Sequence, residues 1–152
     1  MKTVFVIIAV FAVLVASIIY LNRSKIPQPA TQISTPTPVL EEKVNIKATF
    51  TIITGNITRS FRAEKYHNQS PNVYIQNPDP SVVYVTKKGI RWSDFFNTLP
   101  MKLTKECLTT GDGETFCDGK DGSLKFYLND IETPNLLEEQ IKEVDKALIK
   151  FN

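Results

Sequence analysis

The chain has 152 residues, of which 42% are hydrophobic and 22% charged, with a formal net charge of +2 and two cysteines. Charge so nearly balanced argues against a nucleic-acid binder, which needs a basic face. Two cysteines with no nearby histidine cannot complete a tetrahedral zinc shell.

Val4 to Leu21 is an apolar run whose only clearly polar side chain is Ser17, with Lys2 before it and Arg23 and Lys25 after it. As a helix it spans roughly 27 Å, close to the hydrocarbon thickness of a bilayer. Residues 1–25 are therefore predicted to be a transmembrane anchor with its flanks, held to the bilayer by contact with lipid. A cleaved signal is the rival reading. Its apolar region is normally about 7–15 residues, and cleavage after Val15-Ala16-Ser17 would leave Ile18-Ile19-Tyr20-Leu21 as a greasy new terminus. No cysteine lies near the run to carry a lipid, and it has neither the glycine nor the glutamate of a pilin-type leader. The flanking charges nearly tie, so they do not set the orientation.

Residues 26–40 read IPQPATQISTPTPVL and hold Pro27, Pro29, Pro36 and Pro38 without a single charge. Such a segment stays extended and solvated, so it is predicted to be a spacer reaching about 45 Å. A docking peptide would want a basic residue beside its prolines, and none is there.

Residues 41–152 have the length of one small domain. Three of the 18 basic residues precede this stretch and all 16 acidic ones lie in it, which leaves it one net negative charge. Val44 to Thr54 alternates and is rich in β-branched residues, so it is predicted to be a strand. Gly55-Asn56 is a turn signal, and Ile57 to Ala63 is the expected return strand. A loop follows from Glu64 to Pro71. Val73 to Gln76 and Ser81 to Thr86 are short strand candidates on either side of the breaker Asn77-Pro78-Asp79-Pro80. After a turn at Lys87-Lys88-Gly89, the spacing of Trp92, Phe95, Phe96 and Leu99 predicts a helix ended by Pro100, its aromatic stripe facing the core. Leu103 to Leu108 and Thr115 to Cys117 read as a hairpin around Thr110 to Gly113. Leu124 to Leu128 is a strand. Pro134 to Ile141 suits a short helix, because proline is welcome in a first turn. Ala147 to Phe151 is the last strand. Strands around one aromatic-faced helix predict an α+β domain with a mixed sheet.

Three segments carry a resemblance. Gly89 to Phe96 leads from a turn into the helix, Leu124 to Asp130 is an aromatic strand ending in Asn129-Asp130, and Glu143 to Ile149 is the closing strand. Over residues 83–152 this resembles the ubiquitin-like β-grasp domains, in particular extracytoplasmic ones related to the C-terminal domain of transcobalamin-like proteins. Asp130 and Val144 stand where that family usually has glycine. The resemblance implies a β-grasp-like mixed sheet packed on one short helix. It implies no single activity and supplies no site residues.

Cys107 and Cys117 lie ten apart on either side of a turn-rich tip. That spacing favours a structural disulfide over a redox pair, which normally sits at Cys-x-x-Cys, although free thiols stay open as an alternative. An even cysteine count beyond an export-type segment also favours an oxidising compartment. The domain is accordingly expected outside the cytoplasm.

Asp112, Glu114, Asp118 and Asp121, interleaved with glycines, invite a calcium reading. Their order does not match the EF-hand loop, and Lys120 sits among them, so a solvated loop is the expectation. His67 is the only histidine, in a loop with no placed nucleophile, and is expected on the surface. The sequence has no Gly-x-Ser-x-Gly, phosphate-binding glycine loop or His-Glu-x-x-His. Asn22, Asn56 and Asn68 open glycosylation sequons. No catalytic residue, cofactor or metal ligand is thus expected. The expected function is a membrane-anchored, extracytoplasmic module binding a protein or small ligand. An envelope enzyme, or an accessory or pilus-like subunit of a membrane complex, is the alternative.

Overall fold

The computed structural model describes residues 42–119 and 121–152. The predicted membrane segment, the proline-rich spacer and the Asn22 sequon lie outside the described residues. Among those described, no helix is long and apolar enough to cross a membrane.

The alternation in the first segment forms β1 (Lys43–Thr54), whose Ala48, Phe50, Ile52 and Thr54 are buried while Lys47, Thr49 and Thr51 are exposed. Gly55 takes φ +59° and returns the chain as β2 (Ile57–Thr58). This strand is shorter than the expected Ile57 to Ala63. The Arg59 N–H still reaches the Ile52 carbonyl, but the chain then turns inward so that Phe61 joins the core. A 3-10 turn over Glu64–Tyr66 buries Tyr66. β3 (Val73–Tyr74) and β4 (Val82–Lys87) follow, then α1 (Trp92–Thr98). The Asp94 carboxylate accepts the Arg91 N–H at 2.8 Å, tying down the start of α1.

The expected strand Leu103 to Leu108 is instead two, β5 (Lys102–Leu103) and β6 (Cys107–Thr109), and β6 pairs with β7 (Thr115–Cys117). The Thr104 hydroxyl accepts the Cys107 N–H, closing the turn that splits them. β8 (Leu124–Leu128), β9 (Ile131–Glu132) and β10 (Lys146–Phe151) complete the chain. Pro134 to Ile141 forms only a 3-10 turn at Leu136–Glu138, since Glu139 has already gone extended.

The large sheet runs β3-β4-β1-β10-β8-β9, with β2 on the far end of β1, and β5-β6-β7 form a separate three-stranded sheet. At the centre, β1 and β10 are parallel, with Phe50 beside Ala147 and Ile52 beside Ile149. One face of the large sheet packs on α1. The Phe50 ring meets those of Phe61, Phe95 and Phe96 at 4.8, 5.0 and 5.8 Å between centroids. Trp92 and Phe95 are fully buried. Each such ring contributes about 1.5–3 kcal/mol through the water it excludes, so this aromatic cluster is the main fastening of helix to sheet.

The α+β class expected from the sequence is corrected by these elements. The described residues are 43% strand and 12% helix, so the domain is mostly β with one short helix. Two expected contributions failed: the helix at Pro134 to Ile141 never closed α-helical turns, and the segment around Leu103 yielded extra strand pairing. Short segments such as these are decided by the neighbours available to pair with them, not by their own spacing.

Turn geometry is carried by unusual residues. Asn129, Asp130 and Val144 have φ of 53°, 69° and 59°. Asp130 and Val144 adopt the left-handed conformation that glycine takes most easily, although both carry a Cβ. Asp145, buried beside Val144, holds this region: its carboxylate accepts the Lys142 N–H at 2.9 Å and the Asn129 side-chain amide at 3.0 Å. The Asn129 carbonyl oxygen in turn accepts the Lys146 N–H at 2.9 Å.

Candidate ligand cleft

Cys107 and Cys117 sit directly opposite each other in the β6–β7 register and are disulfide-bonded. The bond fastens the base of a hairpin whose tip, Thr110 to Gly113, reaches back toward the loop after β2. Two ion pairs make that connection. Lys65 binds Asp112 at 2.7 Å and also donates to the Gly111 carbonyl, while Arg59 pairs with Glu114. Arg59 further donates to the Thr54 hydroxyl at 2.6 Å and lies over the Phe116 ring at 5.2 Å. Between the two hairpins a cleft of about 240 Å³ remains.

Its floor is apolar: Ile52, Phe61, Tyr66 and Leu108 are buried beneath it. Met101 forms one wall, and Ile57, 61% exposed, stands at the rim. Gly111 is required for the closure. A Cβ there would lie 2.4 Å from the Tyr66 hydroxyl and 2.8 Å from the Pro100 carbonyl oxygen, closer than real contacts allow. The rim charges serve each other. Hydrogen bonding from Lys65 holds the Asp112 carboxyl below its ordinary value, and the same bond raises the Lys65 ammonium. At the opposite end of the hairpin, Lys105 depresses the Glu138 carboxyl in the same way.

The four acidic residues of the glycine-rich segment do not converge. Asp112 and Glu114 turn to different cations, and Asp118 accepts the Leu124 N–H. Among the described residues, no group of three or more histidine, cysteine or carboxylate side chains could hold a metal ion. His67 is half-buried, not simply exposed, with Nε2 at 2.9 Å from the Phe61 carbonyl oxygen, where it braces the loop behind the cleft. Asn56 and Asn68 are exposed. Sequence reasoning identified the cysteine pair but missed Arg59, Lys65 and Tyr66, which lie in segments read as return strand and loop. The contacts of Arg59 and Lys65 with the hairpin tip span 46 to 55 residues, so no local pattern could signal them.

No protein-family model matches the chain, and no curated protein or solved structure matches it.

Proposed function

We propose that the chain is a membrane-tethered binding module whose domain works outside the cytoplasm and receives an apolar side chain of a partner protein in the cleft between its two hairpins. The observation that carries this reading is the cleft itself. Its floor is apolar, its charged rim residues neutralise one another, and its volume of about 240 Å³ is below the roughly 300–1,000 Å³ usual for small-molecule sites. A pocket of that size suits one inserted anchor residue, the arrangement that dominates protein interfaces. Exposed Ile57 beside it extends the apolar contact. The Cys107–Cys117 bond supports an oxidising compartment, and the apolar run Val4 to Leu21 supports the tether.

The test uses the full chain in native membranes, with a photo-crosslinking amino acid replacing Ile57. One neighbouring protein is expected to crosslink from this position and to be lost when Met101→Trp fills the cleft. Recovery of the chain alone, or the same adduct from a probe at Lys88, would refute the proposal. The compartment is tested separately by alkylating thiols in living cells before lysis. Cys107 and Cys117 should escape unless a reductant is added, and modification of both without reductant would place the domain in a reducing compartment.

A further inference from the structure

The outer face of the large sheet, opposite α1, has one-sided chemistry, with Lys47, Thr49, Thr51 and Lys146 exposed and Lys125, Tyr127, Leu148 and Lys150 half-buried. β10 sets Lys146 and Lys150 on this face four residues apart, about 13 Å at the usual strand rise. Lys150 lies directly opposite Lys125 on β8. Lys146 is beside Thr49 on β1, which brings Lys47, two residues earlier, to the same end of the face. Two lysines therefore stand at each end. Between them Leu148 is paired with Tyr127, and Lys47 is paired with Tyr84. The Lys47 ammonium lies 5.6 Å from the Tyr84 ring centroid, and Tyr84 stacks on Tyr74 at 5.5 Å.

None of the four lysines forms an ion pair among the described residues, whereas Arg59, Lys65, Lys88 and Lys105 do. Two acids border the face. Glu143 accepts the Lys47 backbone N–H, and Glu132 sits opposite Tyr127 on the edge strand. Lysines placed directly opposite one another repel and cost stability, yet Lys125 and Lys150 are so placed in a domain whose net charge is slightly negative. The face thus concentrates cations that the rest of the domain does not require.

We infer that this face docks an acidic polysaccharide. A linear polyanion supplies negative groups at intervals along an extended chain, which two lysine pairs separated by about 13 Å can meet together. Tyrosine rings and the hydroxyls of Thr49 and Thr51 offer the mixed apolar and hydrogen-bonding surface that sugar rings present in return. A second copy of this chain would bring lysines against lysines. The choice of a glycan over single-stranded nucleic acid, which also favours cations and aromatic rings, rests on the extracytoplasmic reading above.

The test titrates the full chain, in nonionic detergent, with polygalacturonate and with uncharged pullulan. Binding to polygalacturonate alone is expected, falling steeply as salt rises to about 0.5 M because screening shortens the reach of the lysines. Lys125→Glu with Lys150→Glu should weaken it at least about tenfold. Tyr127→Ala should weaken it without altering the salt dependence, and Lys88→Glu, off this face, should leave it unchanged. Equal melting temperatures for these variants exclude unfolding as the cause. Absence of binding, binding indifferent to the Lys125 and Lys150 changes, or tighter binding to a single-stranded oligonucleotide overturns the inference. The thiol-alkylation result decides the compartment independently, so the two failures are distinguishable.

Discussion

Replacing Val144 with glycine should stabilise this protein, although it removes a hydrophobic side chain. Val144 has φ 59°, in the region where a Cβ crowds the following carbonyl. That conformation costs an L-residue about 1–2 kcal/mol, and a β-branched residue belongs at the upper end. The side chain is 76% exposed, so it recovers little by burial, about 0.5 kcal/mol by the usual transfer value. Glycine adds a chain-entropy cost of about 0.5–1 kcal/mol in the unfolded state. The balance favours Val144→Gly by about 0.5–1 kcal/mol, or about 2–4 °C in melting temperature for a domain of this size. Val144→Ala keeps a Cβ in the strained position, relieves only the β-branched part of the strain and loses the small burial, so it should fall short of the glycine variant. The N–H donated to the Lys47 carbonyl at 2.8 Å is present in all three. Urea denaturation of the three proteins gives the order directly. An alanine variant as stable as the glycine variant, or a glycine variant weaker than the parent, would refute the assignment of strain to this residue.

Reducing Cys107–Cys117, or replacing both cysteines with serine, should lower stability by about 2–3 kcal/mol, the loop-closure value for a ring of this length; denaturation with and without reductant measures it. Asp145→Ala should cost about 1–3 kcal/mol because it removes the charged acceptor of two hydrogen bonds, from the Asn129 side-chain amide and the Lys142 N–H, whereas Asp145→Asn, which keeps one acceptor oxygen, should cost less in the same denaturation assay. The Asp112 carboxyl should titrate below its ordinary 3.8 when followed by NMR, because Lys65 hydrogen-bonds its ionised form. Its folded value being depressed, its stabilising effect is present above pH 3.8 and is lost as pH falls through the folded value. Lys65→Met should return the titration toward 3.8, and an unmoved value would show that the pair does not form in solution.

The parts of the fold that could be read in advance are those with a strong local period. β1 has 12 residues of alternation, and each inward residue from Ala48 onward is buried. The stripe of Trp92, Phe95, Phe96 and Leu99 did mark a core-facing helix. Segments with two or three residues in a strand carry no such period. β5, β9 and the short β2 exist because a neighbouring strand offers its backbone groups, which is why the balance of helix and strand was misjudged. The cleft was less legible still. Its cysteines announce themselves by spacing, but Tyr66 and Arg59 acquire their roles only when the hairpin tip folds back over them.

The sequence by itself showed the apolar run and the uncharged proline-rich stretch, and it marked the longest strand, the core-facing helix and two cysteines spaced for a disulfide. Each of these depends on residues close together in the chain, where periodicity, composition and loop length are sufficient physics. The tertiary structure alone decided that β1 lies parallel to β10, nearly a hundred residues away. That pairing sets Lys47 near Lys146 and positions Val144 to donate to Lys47, and with the β8–β10 pairing, which adds Lys125 opposite Lys150, it assembles four scattered lysines on a single face. Contacts of this kind depend on chain closure and on competition among partners, and neither is written in any local stretch of residues.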